Sequence, residues 1–457
     1  MVPITLLKLV ENNSFLSTLS SLYHGNGFEL YLVGGAVRDG ILDIPTNDFD
    51  FTSNATPDES IELLKKNNYK TTEVGKAFGT IELYDLERLV HITTFRKDTY
   101  ETDSRNPEIE KASDLVTDLS RRDFTINSIA YSLETNELID PFSGIKDLAS
   151  GTISTPDDPI ISFSDDPLRM LRVCRFASTH GFSPDNETYI AMKENIERIK
   201  IITKERIRDE INKLLVGKSP SMGIRTLVES GLSLYIIPEI NDLKIEVDPK
   251  HHHKDVYEHT LAVLDGVPPK LTLRMGALLH DIAKPNTKGI ENGKVHFRHH
   301  EVVGARMTKK ILKGLKYDNK TIEDIALLVE QHLRPHTFKM GWTDSAVRRY
   351  IVDAGHMLED LNELVRADVT TKNKIKANEI YENLDEMEKR IEEVKAKEEL
   401  SKIRPALSGD EIMEHFNIQP GPKVGVIMKA LYEQRINDGE VSKEDALKLA
   451  EETYKNL

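Results

Sequence analysis

At 457 residues the chain is too long for one hydrophobic core and suits about three domains. With 76 acidic against 61 basic side chains its formal charge is −15, which excludes broad, non-specific adhesion to nucleic acid and leaves room for a local basic face, as in the Lys/Arg cluster of residues 121–208. A single cysteine, Cys174, excludes an intramolecular disulfide and fits a reducing cytoplasm. No stretch approaches the ~18 apolar residues of a membrane helix, and the opening MVPITLLKLVENNSF lacks the basic start and apolar core of a signal peptide.

Residues 1–28 read as two short amphipathic helices leading into an apolar strand, Leu30, Tyr31, Leu32 and Val33. The strand ends in Gly34-Gly35, and Ala36-Val37-Arg38-Asp39 reads as the first turn of a helix. A second strand carries Asp48-Phe49-Asp50, and Thr56-Pro57-Asp58 opens a helix near 57–68. Strands near 71–75, 79–84 and 89–95 follow, then a polar tract, RKDTYETDSRNPEIEKASD, whose lack of apolar period predicts a mobile loop. LSRRDFTINSIAY reads as a helix with Ile126, Ile129 and Ala130 turned inward, and Asp140-Pro141-Phe142-Ser143-Gly144 marks a turn. Beyond Ile153 strand signals almost vanish. From Asp165 to about Leu400 helical segments succeed one another, divided by breaks such as HGFSPD, LVGKSPS, GVPPK and KPNTKGIENGK. Residues 378–400 read as a long charged helix serving as a solvated connector. After Arg404-Pro405 a small helical unit begins, with SGDEIM as an N-cap signal.

Three constellations carry chemistry. The strand, glycine turn and helix at Gly34-Gly35 form a phosphate cradle, because glycine lets backbone N–H groups approach an anion closely. About ten residues on, the period of two along a strand puts Asp48 and Asp50 on one face, where both stay ionised readily only with cations between them; Mg²⁺ suits such oxygen donors and substrate phosphates. In that order and spacing these features resemble the DNA polymerase beta nucleotidyltransferase superfamily. The second constellation is Arg121-Arg122-Asp123, paired arginines at a helix start that can grip triphosphate oxygens bidentately. The third is Asp165-Asp166-Pro167-Leu168-Arg169-Met170-Leu171-Arg172-Val173-Cys174-Arg175, in which Arg169, Arg172 and Arg175 share a helical face with Asp166 at its mouth. An aspartate and an arginine at the start of one helix offer acceptors and donors to a base edge without a nucleic-acid template.

GGAVRD with DFD, RRDFTIN, DPFSG..DL, DDPLRMLRVCRF and ERIRDE, in this order, resemble the motif series of bacterial and eukaryotic tRNA nucleotidyltransferases, the CCA-adding enzymes. The later half (HKDVYEHTLAVLD, LLHDIAKP, HHEVVGA, WTDSAVRRYI, RADVTTKNK, PGPKVG) is similar to the form of that family with an HD domain and a C-terminal extension. The resemblance implies an α+β fold: a polymerase-beta-like head with a mixed sheet (1–155), an all-α neck that reads the base (156–230), an all-α body with the HD domain (231–400) and a small helical tail (401–457). It implies a cytoplasmic enzyme that adds C, C and A to tRNA 3′ ends from CTP and ATP. Asp48 and Asp50 would hold two Mg²⁺; Gly34, Gly35, Arg38 and Arg122 would meet the triphosphate; Asp166 and Arg169 would pair with the base. Arg172 and Arg175 would reach phosphates and orient their helix, with residues 205–210 bracing the turn behind it. Asp165 stands where the family usually has glutamate, and so does His91, so no third catalytic carboxylate is named. The tract at about 96–110 corresponds to a loop that CC-adding members lack, which implies that the final A is added.

His259, His280, Asp281 and Asp368 are the ligand types with which HD phosphohydrolases hold a divalent metal, and His300 and His332 extend the set towards a second ion. Two readings stand: a metal site acting on RNA ends, or a remnant in a structural body. His251-His252-His253 read as a loop cluster without a role. Trp342 with Arg348-Arg349 reads either as an RNA grip or as core and rim. The rival functions are a poly(A) polymerase, which shares the head motifs, and an HD phosphohydrolase whose head only binds nucleotide.

Overall fold

The structure, a computed structural model, describes residues 2–73, 75–85, 88–99, 108–245, 255–292, 294–371, 373–397 and 404–457. It divides into two compact units, Met1–Pro238 and Glu239–Leu457.

In the first unit, α1 (Ile4–Glu11) and α2 (Ser14–His24) bury Leu6, Val10, Leu16, Leu19 and Tyr23. They precede β1 (Leu30–Val33), α3 (Gly35–Ile41), β2 (Asp48–Ser53) and α4 (Pro57–Lys66). Thr56 caps α4 reciprocally with Glu59, and Pro57 supplies the preset φ of a first helical residue. Then come β3 (Lys70–Thr72), β4 (Thr80–Asp85), β5 (Arg88–Thr94), β6 (Arg96–Thr99), β7 (Glu108–Lys111), α5 (Leu115–Ser120), β8 (Ala130–Ser132) and β9 (Glu137–Ile139). Seven strands form a sheet in the order β3-β4-β5-β2-β1-β8-β9. It is mixed as expected: β2 and β5 run parallel, with α4 in their crossover, and the other neighbours are antiparallel. Along β2, Phe49 and Phe51 are buried while Asp48 is exposed and Asp50 half-buried, so the strand's alternation turns both carboxylates away from the core.

Past the sheet the unit is helical: α6 (Gly144–Ser150), α7 (Pro159–Asp165), α8 (Leu168–His180), α9 (Asn186–Glu194), α10 (Lys204–Leu215) and α11 (Pro220–Glu229). α8 packs on α10 and α11 through Met170, Leu171, Val173, Cys174 and Ala177, leaving Arg169, Arg172 and Arg175 as a polar stripe.

Three expectations in this unit are corrected. The tract after residue 95 is a hairpin, with β6 and β7 paired antiparallel from Arg96↔Lys111 to Thr99↔Glu108; the loop expected at 100–107 lies outside the described residues. Residues 119–131 are not a helix: α5 ends at Ser120, a single 3₁₀ turn spans Thr125–Asn127, and β8 follows. Ile126, Ile129 and Ala130 are nevertheless fully buried. Strand pairing also continues past Ile153, in a short parallel pair of Thr152–Ile153 with Ser183–Pro184.

The second unit is built of helices around Val256–Gly266, Leu271–Leu279, His300–Gly314, Asn319–Gln331 and Leu358–Ala367. KPNTKGIENGK, read as a break, contains one arm of an antiparallel hairpin, Lys288–Glu291 with Lys294–Phe297. The long helix, Lys374–Lys397, is not a solvated connector: Leu384, Met387, Ile391 and Val394 are buried. The helices Gly409–Phe416, Pro422–Asp438 and Lys443–Lys455 enclose a small core of their own around Ile412, Ile427 and Leu431.

Candidate active site

β1 ends at a turn where Gly34 has φ +70°, a conformation that L side chains rarely adopt. Space is tight as well: a Cβ there would stand 3.2 Å from Arg122 Nη1 and 3.5 Å from Asp50 Oδ2. The backbone of Gly34 is thus brought between an arginine and a carboxylate. Asp50 lies opposite Val33 of β1, and Asp48 projects from the same face of β2. Burial and the neighbouring Asp50 push the Asp48 carboxyl above the ordinary aspartate range, with His91 only partly offsetting them. Two carboxylates and an imidazole whose ligand atoms lie within 4.8 Å of one another form a donor set that fits a divalent cation.

Arg121 and Arg122 stand at the end of α5 rather than at a helix start, with Arg121 as its C-cap. Asp118, fully buried and not singled out from the sequence, holds both. It accepts from Arg121 Nε at 3.0 Å and Nη2 at 2.7 Å, from Arg122 Nη2 at 3.2 Å, and from the Thr52 hydroxyl of β2 at 3.0 Å. Burial alone would raise its pKa, but Arg122 and Arg121 outweigh that and hold the carboxyl below its usual range. Its place three and four residues ahead of the arginines is the signal that could have found it.

Arg38 of α3 donates from Nη1 to Asn127 Oδ1 at 2.7 Å and from Nε to Asp39 at 2.8 Å, and lies over the Phe176 ring. Asn127 Nδ2 in turn donates to buried Asp123 Oδ1 at 2.9 Å, and Asp123 pairs with Arg172 at 2.9 Å. Arg175 pairs with Glu210 of α10 at 3.1 Å. Arg169 donates from Nη2 to the carbonyl of Arg121 and from Nη1 to Ser162 Oγ, each at 2.6 Å. Asp166 sits at the junction of α7 and α8, where its Oδ1 accepts from the Leu168 N–H at 3.2 Å and Arg206 approaches its Oδ2 at 3.6 Å. A cleft of about 160 Å³ opens here, between Arg121, Arg122, Asp165 and Arg169. The structure thus gathers Gly34, Asp50 and Arg122 at the glycine turn, and Arg122 and Arg169 along the cleft. It engages Arg172 and Arg175 with carboxylates.

The second unit carries a histidine-rich centre. His259 Nε2 is 2.9 Å from Asp368 Oδ1 and 3.2 Å from His280 Nε2; His300 and His332 approach Asp281 Oδ1 at 3.3 and 3.9 Å. Nδ1 of His280, His300 and His332 each faces a backbone carbonyl at 2.7–2.8 Å, which leaves Nε2 directed inward. His300 Nε2, His332 Nε2 and Asp281 Oδ1 are buried without a hydrogen-bond partner. Such orphaned atoms, converging on one point, fit a metal ion better than a sealed core. Burial and neighbouring His280 push His332 down to about 3, whereas His280, with His300 and Lys284 beside it, overcomes burial to hold Asp281 well below its usual range. His336, missed from the sequence, reaches Asp368 Oδ2 at 3.5 Å. A cavity of about 770 Å³ opens over His259 and Asp368, with Lys284, Phe297 and Lys376 in its walls. His251-His252-His253 lie outside the described residues. Trp342 packs on Phe338 and Tyr350, buried Arg348 donates to the carbonyls of Ile436 and Asn437, and Arg349 pairs with Glu433, so these three are core and rim.

A glycine turn beside an aspartate pair on a mixed sheet, with arginines held by buried carboxylates, defines a polymerase-beta-type nucleotidyltransferase. Residues 30–154 match the Poly A polymerase head domain, 181–244 the Probable RNA and SrmB- binding site of polymerase A, and 251–414 the HD domain. A CCA-adding enzyme of Geobacillus sp. (strain WCH70) is 30% identical over 417 residues, covering 91% of this chain and 90% of that protein. An A-adding tRNA nucleotidyltransferase of Deinococcus radiodurans is 30% identical, covering 88% and 91%. Among solved structures, the Bacillus stearothermophilus CCA-adding enzyme in complex with CTP matches with a TM-score of 0.68 at 22% identity, covering 96% and 97%. The chain belongs to the CCA-adding tRNA nucleotidyltransferase family, and that family's chemistry implies a divalent metal. Among the described residues no helix is long and apolar enough to cross a membrane.

Proposed function

We infer that the chain adds C, C and A to the 3′ end of tRNA, taking CTP and then ATP and releasing pyrophosphate. The observation that carries this reading is the aspartate pair beside the Gly34 turn with Arg122 within 3.2 Å of the Cβ that Gly34 lacks, in a chain similar over nine-tenths of its length to a CCA-adding enzyme. Asp48 and Asp50 would hold two divalent ions, with Mg²⁺ as the ordinary companion of nucleoside triphosphates. When bound, these ions supply the charge that favours ionisation of the tRNA 3′-hydroxyl and offsets the charge of the departing pyrophosphate. The backbone at Gly34-Gly35 and the guanidinium of Arg122 orient the triphosphate, and Arg38 backs the turn. Asp166 and Arg169 pair with the base edge. Arg172 and Arg175, tied to Asp123 and Glu210, keep that helix in place. In this reading residues 1–155 are the head, 156–230 the neck, 231–400 the body and 401–457 the tail, and the enzyme works in the cytoplasm, where its substrates are.

Labelled CTP and ATP, offered separately and together to a tRNA lacking its 3′ CCA, test this. Two C and one A, lost in Asp48→Ala/Asp50→Ala, are expected. A long A tract makes the enzyme a poly(A) polymerase. Addition of A only to a CC end makes it an A-adding enzyme, as the Deinococcus relative is named.

The orphaned Asp281, His300 and His332 atoms favour a second activity, in which the HD centre holds divalent metal and hydrolyses phosphate esters at RNA ends. Release of phosphate from a terminal phosphomonoester, or opening of a 2′,3′-cyclic phosphate to a monoester, should survive Asp48→Ala/Asp50→Ala and vanish in Asp368→Asn.

A further inference from the structure

β5 lies parallel to β2 in a register that sets His91 directly beside Asp50. Both side chains leave the same face of the sheet, so an imidazole stands where the two carboxylates converge. His91 Nδ1 is 3.4 Å from Asp50 Oδ1 and 3.7 Å from Asp48 Oδ1. Those separations exceed a good hydrogen bond. An octahedral ion with donors about 2.1–2.2 Å away sets neighbouring donors ~3.0–3.1 Å apart, so the three side chains need close in by only a few tenths of an ångström to share one ion.

The other ring nitrogen has a carboxylate of its own. β4 pairs with β5 so that Glu82 lies opposite His91, and Glu82 Oε1 faces Nε2 at 3.9 Å. β3 pairs with β4 so that Thr72 lies opposite Glu82, and the Thr72 hydroxyl donates to Glu82 Oε2 at 2.9 Å. Four neighbouring strands therefore line up Thr72, Glu82, His91 and Asp50 in one row. At 3.9 Å Glu82 is too far for a direct hydrogen bond to Nε2, but with a cation between Asp48 and Asp50 the Nδ1 lone pair would turn to the ion and the ring proton would stand on the Glu82 side. That is the arrangement by which outer carboxylates orient metal-bound histidines.

We propose that His91 is a metal ligand of the head site, with Glu82 as its positioning residue, and that this nitrogen makes the site favour Mn²⁺ over Mg²⁺. Mg²⁺ takes oxygen donors and keeps its waters, whereas first-row transition metals accept imidazole readily. The proposal rests on the reading of Asp48 and Asp50 as the catalytic metal site.

The test combines two readouts on the full chain. Incorporation of CTP into tRNA is titrated with Mn²⁺ and with Mg²⁺ in wild type, His91→Glu, His91→Gln, Glu82→Gln and His91→Glu/Glu82→Gln. Pulsed electron paramagnetic resonance of bound Mn²⁺ then asks for ¹⁴N coupling, with Asp48→Asn/Asp50→Asn supplying the background from the histidine-rich centre. The half-saturating Mn²⁺ concentration should rise at least about tenfold in His91→Gln, and by more than the half-saturating Mg²⁺ concentration does. His91→Glu should swing preference towards Mg²⁺ and remove the head's ¹⁴N signal. Glu82→Gln should weaken Mn²⁺ use about tenfold while the histidine is present, and should change nothing when added to His91→Glu. An unchanged Mn²⁺/Mg²⁺ ratio across the His91 variants, or no ¹⁴N coupling beyond the background, overturns the proposal. If Asp48→Ala/Asp50→Ala keeps incorporating CTP with either ion, the underlying reading of the site fails instead.

Discussion

Asp118→Asn probes how the arginines are held. The wild-type carboxylate is fully buried and takes hydrogen bonds from Arg121, Arg122, the Thr52 hydroxyl and, at 3.3 Å, the Arg96 N–H. Asparagine keeps one acceptor oxygen, turns an amide N–H towards guanidinium, and leaves two cations without a counter-charge. Breaking a buried pair from one side costs about 3–5 kcal/mol. Because both guanidiniums retain some water contact, with side chains 15% and 16% exposed, the lower end, about 3 kcal/mol, is expected. For a unit the size of Met1–Pro238 that corresponds to a fall of roughly 6–12 °C in its calorimetric transition. Arg122 loses its orientation as well, so KM for CTP should rise more than kcat falls. The pH dependence has a definite sign. The folded carboxyl titrates below the unfolded value of about 3.9, so its stabilisation is present above that pH and is lost as pH falls through the folded value. The gap between wild type and variant should therefore narrow on acidification below about pH 4. An unshifted transition together with an unchanged KM would refute the anchoring role.

Trp342 is the single tryptophan, so its fluorescence reports on the second unit alone. Met387→Ala removes a fully buried side chain and should cost about 2–5 kcal/mol by that signal, where a solvated connector would lose under about 0.5 kcal/mol. Chelation should lower the same transition and added divalent metal restore it, by about 2.7 kcal/mol at a hundred times Kd; no response would argue for a metal-free centre. Gly144→Ala places a Cβ 2.2 Å from the Thr125 carbonyl oxygen and 2.8 Å from Ile129 Cγ1, so about 1–3 kcal/mol should be lost from the first unit's calorimetric transition.

The head was legible where one period dominated. Asp48-Phe49-Asp50-Phe51 alternates, and the Gly34 turn and the capping box at Thr56 carry their own signals. Residues 119–131 misled because Ile126, Ile129 and Ala130 satisfy a helical spacing. The polar residues between them decide otherwise: Asp123 Oδ1 accepts from the Phe124 N–H and from Asn127 Nδ2, offering the backbone a local alternative to the helix. The helix Lys374–Lys397 misled in the opposite way. Its buried residues recur at spacings of three, four and three, the narrow stripe of a packing seam, and the surrounding charge masked it. The histidine centre was legible in residue type, but His336 and the convergence of Nε2 atoms depend on helix packing that no local pattern encodes.

In a chain of net charge −15, the arginines proposed to meet the polyanionic substrates are placed by carboxylates. Asp118 fixes Arg121 and Arg122, Asp123 takes Arg172 and through Asn127 reaches Arg38, and Glu210 takes Arg175. Arg169 donates to the carbonyl of Arg121, so the arginine proposed for the base is tied to the backbone beside the arginine proposed for the triphosphate. In such an arrangement a carboxylate-paired guanidinium cannot swing without uncovering a buried carboxylate, which costs several kcal/mol. The arginines are therefore oriented before substrate arrives, and substrate binding need not meet the entropy of ordering them. It follows that conservative Arg→Lys changes at 122, 172 or 175, which keep the charge and lose the forked geometry, damage nucleotide binding even where net charge is unaltered.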